Sequence, residues 1–180
     1  MNACESILGL NPYQGGKPIK ELERELGLKN VIKLASNENP LGASLKVVEA
    51  MKLSLKEVHR YPDGNGYELK KSISSHLDVA TEMISLGNGS NELLELVARV
   101  FVCKKTDEVI FSQYAFVVYP LVTQALGATA KVAPAKEYGH DLNAMLELIN
   151  DNTKLIFVAN PNNPTGTLVS DDEIYNFLIK

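Results

Sequence analysis

Cysteine is scarce in this sequence, and its scarcity excludes two classes of protein. Cys4 and Cys103 are the only two, and they form neither the dense set of a disulfide framework nor the paired spacing of a zinc site. Two widely separated thiols suit a reducing compartment. The sequence therefore predicts no structural metal ion and no dependence on disulfide bonds.

A long apolar run and an excess of basic charge are also missing. The opening MNACESILGLNPYQGGKPIK lacks the pattern of a signal peptide, and it has no run of the roughly 18 apolar residues that a membrane span needs. Lys and Arg number 18 against 22 Asp and Glu, which gives a net charge of −4. The basic residues are scattered, whereas nucleic-acid binders gather them in a stripe. We therefore expect a cytoplasmic protein with no membrane and no nucleic-acid partner.

The sequence does contain enough apolar residues for a folded core. Of its 180 residues, 45% are hydrophobic and 22% are charged, as in soluble globular proteins. Residues 1–43 are rich in Gly, Pro and Asn, and we predict that they form an N-terminal arm. Residues 44–180 are predicted to form one domain, since domains of about 100 to 150 residues are the commonest.

Strands and helices alternate in the predicted domain. Short apolar runs predict strands at 83–86, 109–111, 130–133 and 155–159. Helical spacing predicts helices at 19–26, 44–58, 67–77, 92–102, 116–126 and 142–149, and Ser170 to Glu173 form a capping box that opens another. Because parallel strands need crossover connections, this alternation favours an α/β fold with a mostly parallel sheet and flanking helices.

Two bends that follow predicted strands could hold a ligand. The segment GNGSN, residues 87–91, precedes a helix, so it either points backbone N–H groups at an anion such as a phosphate or simply caps the helix. It is not a dinucleotide fingerprint, because Glu92 stands where that motif has Gly or Ala. Tyr114 follows the next strand, where its ring either stacks on a flat cofactor or joins the core. Phe116 and Tyr119 have the spacing of packing residues.

A third bend, NPNNPTG at residues 160–166, closes the last predicted strand. Its two prolines fix φ near −65° and leave few competing conformers. Such rigidity indicates that one asparagine amide is held in a set direction. An amide can donate to a phenolate oxygen without titrating, which suits a ring that serves as an electron sink.

Five segments together resemble a known family. LASNENPLGAS, RYPDGNGYELK, LGNGSNE, SQYAFVVYPLVTQALGA and NPNNPTG occur in the order and spacing of the histidinol-phosphate aminotransferases. These are fold-type I enzymes that use pyridoxal 5′-phosphate (PLP). The resemblance runs from about Tyr13 to the last residue. It implies that residues 44–180 are the first part of the large PLP-binding domain, followed in the family by the rest of that domain and a small C-terminal domain.

The resemblance also implies roles for single residues around the cofactor. Ser90 and Asn91 match the pair whose backbone amides hold the PLP phosphate. Tyr114 matches the aromatic residue that stacks on the pyridine ring, and Asn163 matches the amide that hydrogen-bonds its phenolic oxygen. Tyr61 matches a tyrosine that reaches across a dimer interface to the other subunit's cofactor, so a homodimer is implied. On the substrate side, the family pattern points to Tyr13 and to Asn39 in the loop 37–42.

Other parts of the family's active site fall outside this sequence. The Schiff-base lysine, the aspartate that pairs with the pyridine nitrogen and the arginines for the phosphate and the substrate carboxylate all follow the Asn-Pro-Thr-Gly turn. Lys104 and Lys105 lie in a polar connection, where nothing would desolvate an amine and activate it. We expect this chain to be the N-terminal portion of the enzyme and to be inactive alone.

The expected activity is transamination between histidinol phosphate or imidazole-acetol phosphate and glutamate or 2-oxoglutarate, in histidine biosynthesis. An aromatic aminotransferase or a threonine-phosphate decarboxylase shares the phosphate loop and the Asn-Pro-Thr-Gly turn. A non-catalytic nucleotide-binding α/β module and a non-enzymatic interaction fragment are the alternatives from other classes. His59, His76 and His140 lie outside the matched motifs, which favours structural or solvated roles for them.

Overall fold

A computed structural model describes residues 3–180 of the chain. Its helices are α1 (Glu5–Leu8), α2 (Ile19–Leu26), α3 (Leu45–Ser54), α4 (Tyr67–Leu77), α5 (Ser90–Phe101), α6 (Val118–Ala125), α7 (Leu142–Glu147) and α8 (Asp171–Leu178). Its strands are β1 (Glu108–Ser112), β2 (Thr129–Ala133), β3 (Ala135–Lys136), β4 (Gly139–His140) and β5 (Thr153–Phe157). Two short 3₁₀ helices cover Leu55–Glu57 and Thr81–Met83.

Most predicted elements are confirmed, and one is wrong. Helices α2 and α4 have the predicted bounds, and the Ser170–Glu173 capping box forms in both directions. The strand predicted at 83–86 does not form, because a 3₁₀ helix ends at Met83 and the chain then continues without pairing to any described strand. A four-residue apolar run fits a strand, and it fits equally well a part-buried segment that pairs with no strand.

The main sheet is parallel and has the order β2-β1-β5. Central strand β1 is buried along its whole length. Because side chains alternate along a strand, Val109 and Phe111 face one side of the sheet and Ile110 faces the other. Each side is covered by helices, which gives the α/β layers predicted from the sequence.

The two sides of the sheet have separate cores. On the first, α5 and α6 pack against the strands, and the buried residues of this core are Ala98, Val102, Val109, Phe111, Val118, Tyr119, Val122 and Phe157. Tyr119 stacks on Phe157 with ring centroids 4.3 Å apart, so its predicted packing role is confirmed. On the second side, Ile110, Ala133 and Met145 are buried, with Phe177 of α8 packed against them.

The described chain divides into two compact units. One comprises Gly87–Lys180 together with the chain up to Tyr13, and it contains the sheet. The other is Gln14–Leu86, which holds α2, α3 and α4 and has no buried residue. The division between an arm at 1–43 and a domain at 44–180 stays a prediction.

Among the helices of residues 3–180, none combines the length and the hydropathy that a membrane span requires.

Candidate functional site

Two of the predicted bends emerge side by side at the carboxyl edge of the sheet. Phe111 of β1 pairs with Phe157 of β5, and both strands end within one residue of that pair. The loop that carries Tyr114 therefore leaves the sheet beside the turn at 160–166. In open α/β sheets ligands bind at this edge.

The turn after β5 is closed by side chains as well as backbone. The side chain of Asn160 pairs with the backbone of Val169 as a neighbouring strand would. Its Nδ2 donates to Val169 O at 2.8 Å and its Oδ1 accepts from Val169 N at 2.9 Å. Asn162 N donates to Thr167 O at 2.9 Å, and Gly166 N donates to Asn162 O at 2.8 Å. The turn is thus a fixed frame.

Asn162 joins this frame to the loop after β1. Its side chain is buried, with 4% of the residue exposed. Its Nδ2 donates to Tyr114 O at 3.0 Å and to Thr165 Oγ1 at 2.7 Å. Its Oδ1 is buried and has no hydrogen-bond partner among the described residues. One amide therefore holds the backbone of Tyr114 against the turn.

Asn163 follows Asn162 in the turn, and the turn does not use its side-chain amide. The residue is half-buried. Within residues 3–180 the Asn163 side chain makes no hydrogen bond of its own, in contrast to Asn160 and Asn162. An amide that is held by the turn and has unused donors can bind an acceptor on a ligand.

The ring of Tyr114 is available at the same edge. Tyr114 is 40% exposed, so the possibility that it joins the core is wrong. Its ring contacts the ring of Tyr138, with centroids 5.3 Å apart and planes inclined by 38°. Tyr138 lies between β3 and β4, a short hairpin that the sequence pattern does not predict. The signal in the sequence is weak, an aromatic residue directly before a glycine.

The start of α5 offers unpaired backbone donors. Gly89 has φ +83° and leads into Ser90, and no side chain caps the helix. Asn88 N donates to the Glu92 carboxylate at 2.5 Å, whereas the amides of Ser90, Asn91 and Glu92 have no acceptor among the described residues. An uncapped N-terminus with free amides binds anions.

Helix α5 brings these amides towards the carboxyl edge. Its C-terminus connects to the start of β1 through residues 102–107, and its residues Ala98 and Leu94 pack over the sheet and α6. The helix therefore runs antiparallel to β1. Because its twelve residues span about 18 Å, close to the length of a five-residue strand at about 3.3 Å per residue, we expect Ser90 to lie near the level at which β1 ends.

Three predicted site residues lie outside the segments described above. Tyr61 and Asn39 belong to the other compact unit, where Tyr61 is fully exposed at 101%. Asn39 uses its side chain locally, because its Oδ1 accepts from Leu41 N at 3.0 Å. Tyr13 is exposed at the end of the N-terminal stretch. The roles expected of these three stay predictions.

The histidines differ in their surroundings. His59 and His76 are exposed. His140 is buried in the hairpin, and its Nε2–H donates to Ala159 O at 2.8 Å, directly before the turn. His140 thus has the structural role expected of it.

Comparison with known proteins shows the family of the chain. The sequence model of the aminotransferase class I and II family matches residues 29–178. A histidinol-phosphate aminotransferase of Idiomarina loihiensis is 59% identical over 171 residues, which cover 95% of this chain and 46% of that protein. One from Mannheimia succiniciproducens is 55% identical, covering 99% of the chain and 48% of the relative.

Solved structures share the fold. The crystal structure of a histidinol-phosphate aminotransferase from Sinorhizobium meliloti, in complex with pyridoxal 5′-phosphate, superposes with a TM-score of 0.87 at 22% identity, over 98% of this chain and 47% of that one. An aminotransferase from Escherichia coli superposes with a TM-score of 0.81 at 24% identity, over 99% of this chain and 48% of the other.

The chain thus spans about half the length of the relatives it matches, and the similarity falls on their N-terminal half. The family match extends over most of the residues described above, including the helix start, the loop after β1 and the turn after β5. This chain belongs to the aminotransferase class I and II family.

Proposed function

We propose that the chain forms the N-terminal half of a PLP-dependent histidinol-phosphate aminotransferase. The complete protein would exchange an amino group between L-histidinol phosphate and 2-oxoglutarate, in histidine biosynthesis. The names of relatives that are 52–59% identical support this substrate class. The observation that carries the proposal is the hydrogen bond from Asn162 to Tyr114 O, which joins the stacking residue to the turn that presents Asn163.

The residues at the carboxyl edge fit PLP in their chemistry. The free amides of Ser90 and Asn91, at a helix N-terminus, would hold the phosphate. The exposed ring of Tyr114 would pack on the pyridine ring. The uncommitted Asn163 amide would donate to the phenolic oxygen, a hydrogen bond that needs no change of charge on the protein. When bound, PLP supplies an electron sink for the charge that develops at the substrate carbon.

Three further roles complete the proposal. Tyr61 would reach the cofactor phosphate across a homodimer interface, and its full exposure in this chain leaves it accessible for that contact. Tyr13 and Asn39 would face the substrate. We also propose the division into an arm at 1–43 and the first part of the large domain at 44–180.

The lysine that attaches the cofactor would come from elsewhere in the complete protein. None of the lysines in residues 3–180 is buried, and an amine has to be desolvated or paired with another cation to react at neutral pH. The 180-residue chain is therefore expected to bind PLP without attaching it. Treatment with borohydride should leave no single lysine stoichiometrically modified by the cofactor, and one lysine found fully modified by mass spectrometry would refute this part.

A chimaeric enzyme tests the activity. Residues 1–180 replace the matching half of the Idiomarina loihiensis enzyme, and the gene is expressed in a histidine auxotroph that lacks its own histidinol-phosphate aminotransferase. We expect growth without histidine, and glutamate formation from 2-oxoglutarate that depends on histidinol phosphate. Asn163→Ala in the same chimaera should lower kcat/KM by about 10²-fold, as loss of a preorganised donor does.

The matched control is Asn143→Ala, an exposed asparagine on α7, which should leave kcat/KM unchanged. A purified chimaera that transaminates aromatic amino acids but not histidinol phosphate would contradict the substrate assignment. Release of CO₂ from threonine phosphate, with no transamination of histidinol phosphate, would point to a threonine-phosphate decarboxylase instead.

A further inference from the structure

The hairpin β3–β4 has a strained tip. Its strands pair Ala135 with His140 and Lys136 with Gly139, so Glu137 and Tyr138 form a two-residue turn. Their φ angles are +51° and +63°. Turns of this kind are normally built from Asn-Gly, because residues with larger side chains adopt positive φ at a cost. A tyrosine at such a position is a departure that local folding does not favour.

The hairpin is fixed against the turn after β5. His140 donates to Ala159 O at the base of that turn. At Gly139 a Cβ would stand 3.1 Å from Thr167 Oγ1, so the hairpin backbone lies directly against the turn. The tip therefore has a set position relative to Asn162 and Asn163.

Core packing does not explain Tyr138. The residue is 67% exposed, so its ring buries little apolar surface. Its nearest aromatic neighbour is Tyr114, at 5.3 Å between centroids. Strained residues that persist without a packing reason are concentrated at functional sites.

We propose that Tyr138 is a positioning residue of the site. Its ring supports one side of the Tyr114 ring and holds it in the orientation that stacks on a flat heteroaromatic ligand. The proposal rests on the proposed function, because the ligand is the PLP ring. Asn162 fixes the backbone of Tyr114 and Tyr138 fixes its side chain, so the two contacts act on different parts of one residue.

The test separates stability from binding. In the purified 180-residue chain, PLP affinity is measured by equilibrium dialysis, the orientation of the bound ring by induced circular dichroism, and Tm by thermal unfolding. Tyr138→Gly should raise Tm, because glycine tolerates positive φ. It should also weaken PLP binding by about threefold to tenfold, the equivalent of one aromatic pair, and reduce the induced circular dichroism.

Two matched variants isolate the ring. Tyr138→Phe keeps it and should bind PLP like the unmodified chain. Glu137→Gly relieves strain at the neighbouring position and should raise Tm without changing PLP affinity. If the unmodified chain shows no saturable PLP binding, the proposed function fails. If it binds PLP and Tyr138→Gly binds equally well, or if Tyr138→Gly lowers both Tm and affinity, the positioning role is wrong.

Discussion

Asn162 and Asn163 stand next to each other in the turn after β5, and their side chains are used differently. Asn162 is buried and donates twice, to Tyr114 O and to Thr165 Oγ1. Asn163 is half-buried and makes no hydrogen bond within the described residues. Burying an amide is favourable only when its donors are paired, so Asn162 stabilises the turn, while the donors of Asn163 are available for the ligand that we propose.

Replacing Asn162 by aspartate should destabilise the chain. The carboxylate has the same shape but cannot donate to Tyr114 O, and it places an unpaired charge in a buried position. We expect the free energy of unfolding in urea to fall by about 1–3 kcal/mol. Asn143→Asp makes the same chemical change at an exposed position and should alter it by less than about 0.5 kcal/mol. Equal losses for the two variants would show that Asn162 is not a brace.

The motif predicts that an amide is aimed in this turn, and the family resemblance selects Asn163 from the pair. Neither the motif nor the resemblance predicts that Asn162 links the turn to the loop after β1. Two adjacent asparagines have the same local chemistry, and which one is buried depends on the carbonyl of Tyr114, 48 positions away in the sequence. Long-range hydrogen bonds of this kind leave no local pattern.

The connections between helices and strands help to fix the positions of the proposed site residues. The link between α5 and β1 is tightened by Asp107, whose Oδ2 accepts from Cys103 N at 2.7 Å and from Lys104 N at 2.8 Å. These two backbone hydrogen bonds hold the pKa of Asp107 below its usual value. Helix α5 ends in this link, so the link helps to fix the position of the N-terminal end of the helix.

The lowered pKa predicts a pH dependence. A carboxyl group whose pKa is lower in the folded state stabilises the fold above its unfolded pKa, and this contribution is lost as the pH falls through the folded value. Asp107→Asn should therefore lower Tm at pH 7, and the difference from the unmodified chain should shrink below about pH 4. Thermal unfolding of both chains between pH 2.5 and 7 measures this. A difference in Tm that stays constant over that range would rule out the ionised carboxylate as its source.

Long periodic patterns predict the elements closely, whereas the short apolar runs predict three strands correctly and one wrongly. Helix α4 matches its predicted bounds because eleven residues carry a clear pattern. The apolar run at 83–86 is too short for its sequence to show whether it forms a strand or an unpaired segment. The β3–β4 hairpin was missed because its strands have two residues each and its turn is Glu-Tyr, without the Asn-Gly signal that marks such turns.

In the whole molecule, parallel topology brings segments of the proposed site to one edge of the sheet. Strands β1 and β5 are neighbours although 40 residues separate the end of β1 from the start of β5, and parallel pairing places their carboxyl ends at one edge. Helix α5 runs back along the sheet and brings its free amides to that edge. The alternation of strands and helices in the sequence predicts this layer architecture. It does not predict strand order or the position of Tyr138, since both depend on packing between distant segments.

We propose that the start of α5, Tyr114 and the turn with Asn163 form one site for PLP. The most direct test is a PLP titration of the ¹⁵N-labelled 180-residue chain, followed by amide chemical shifts in NMR spectra. We expect saturable shifts confined to the amides of residues 90–92, of Tyr114 and of the non-proline residues of 160–166, including the side-chain amide of Asn163. Shifts that never saturate, or that fall elsewhere and leave these three segments unchanged, would contradict it.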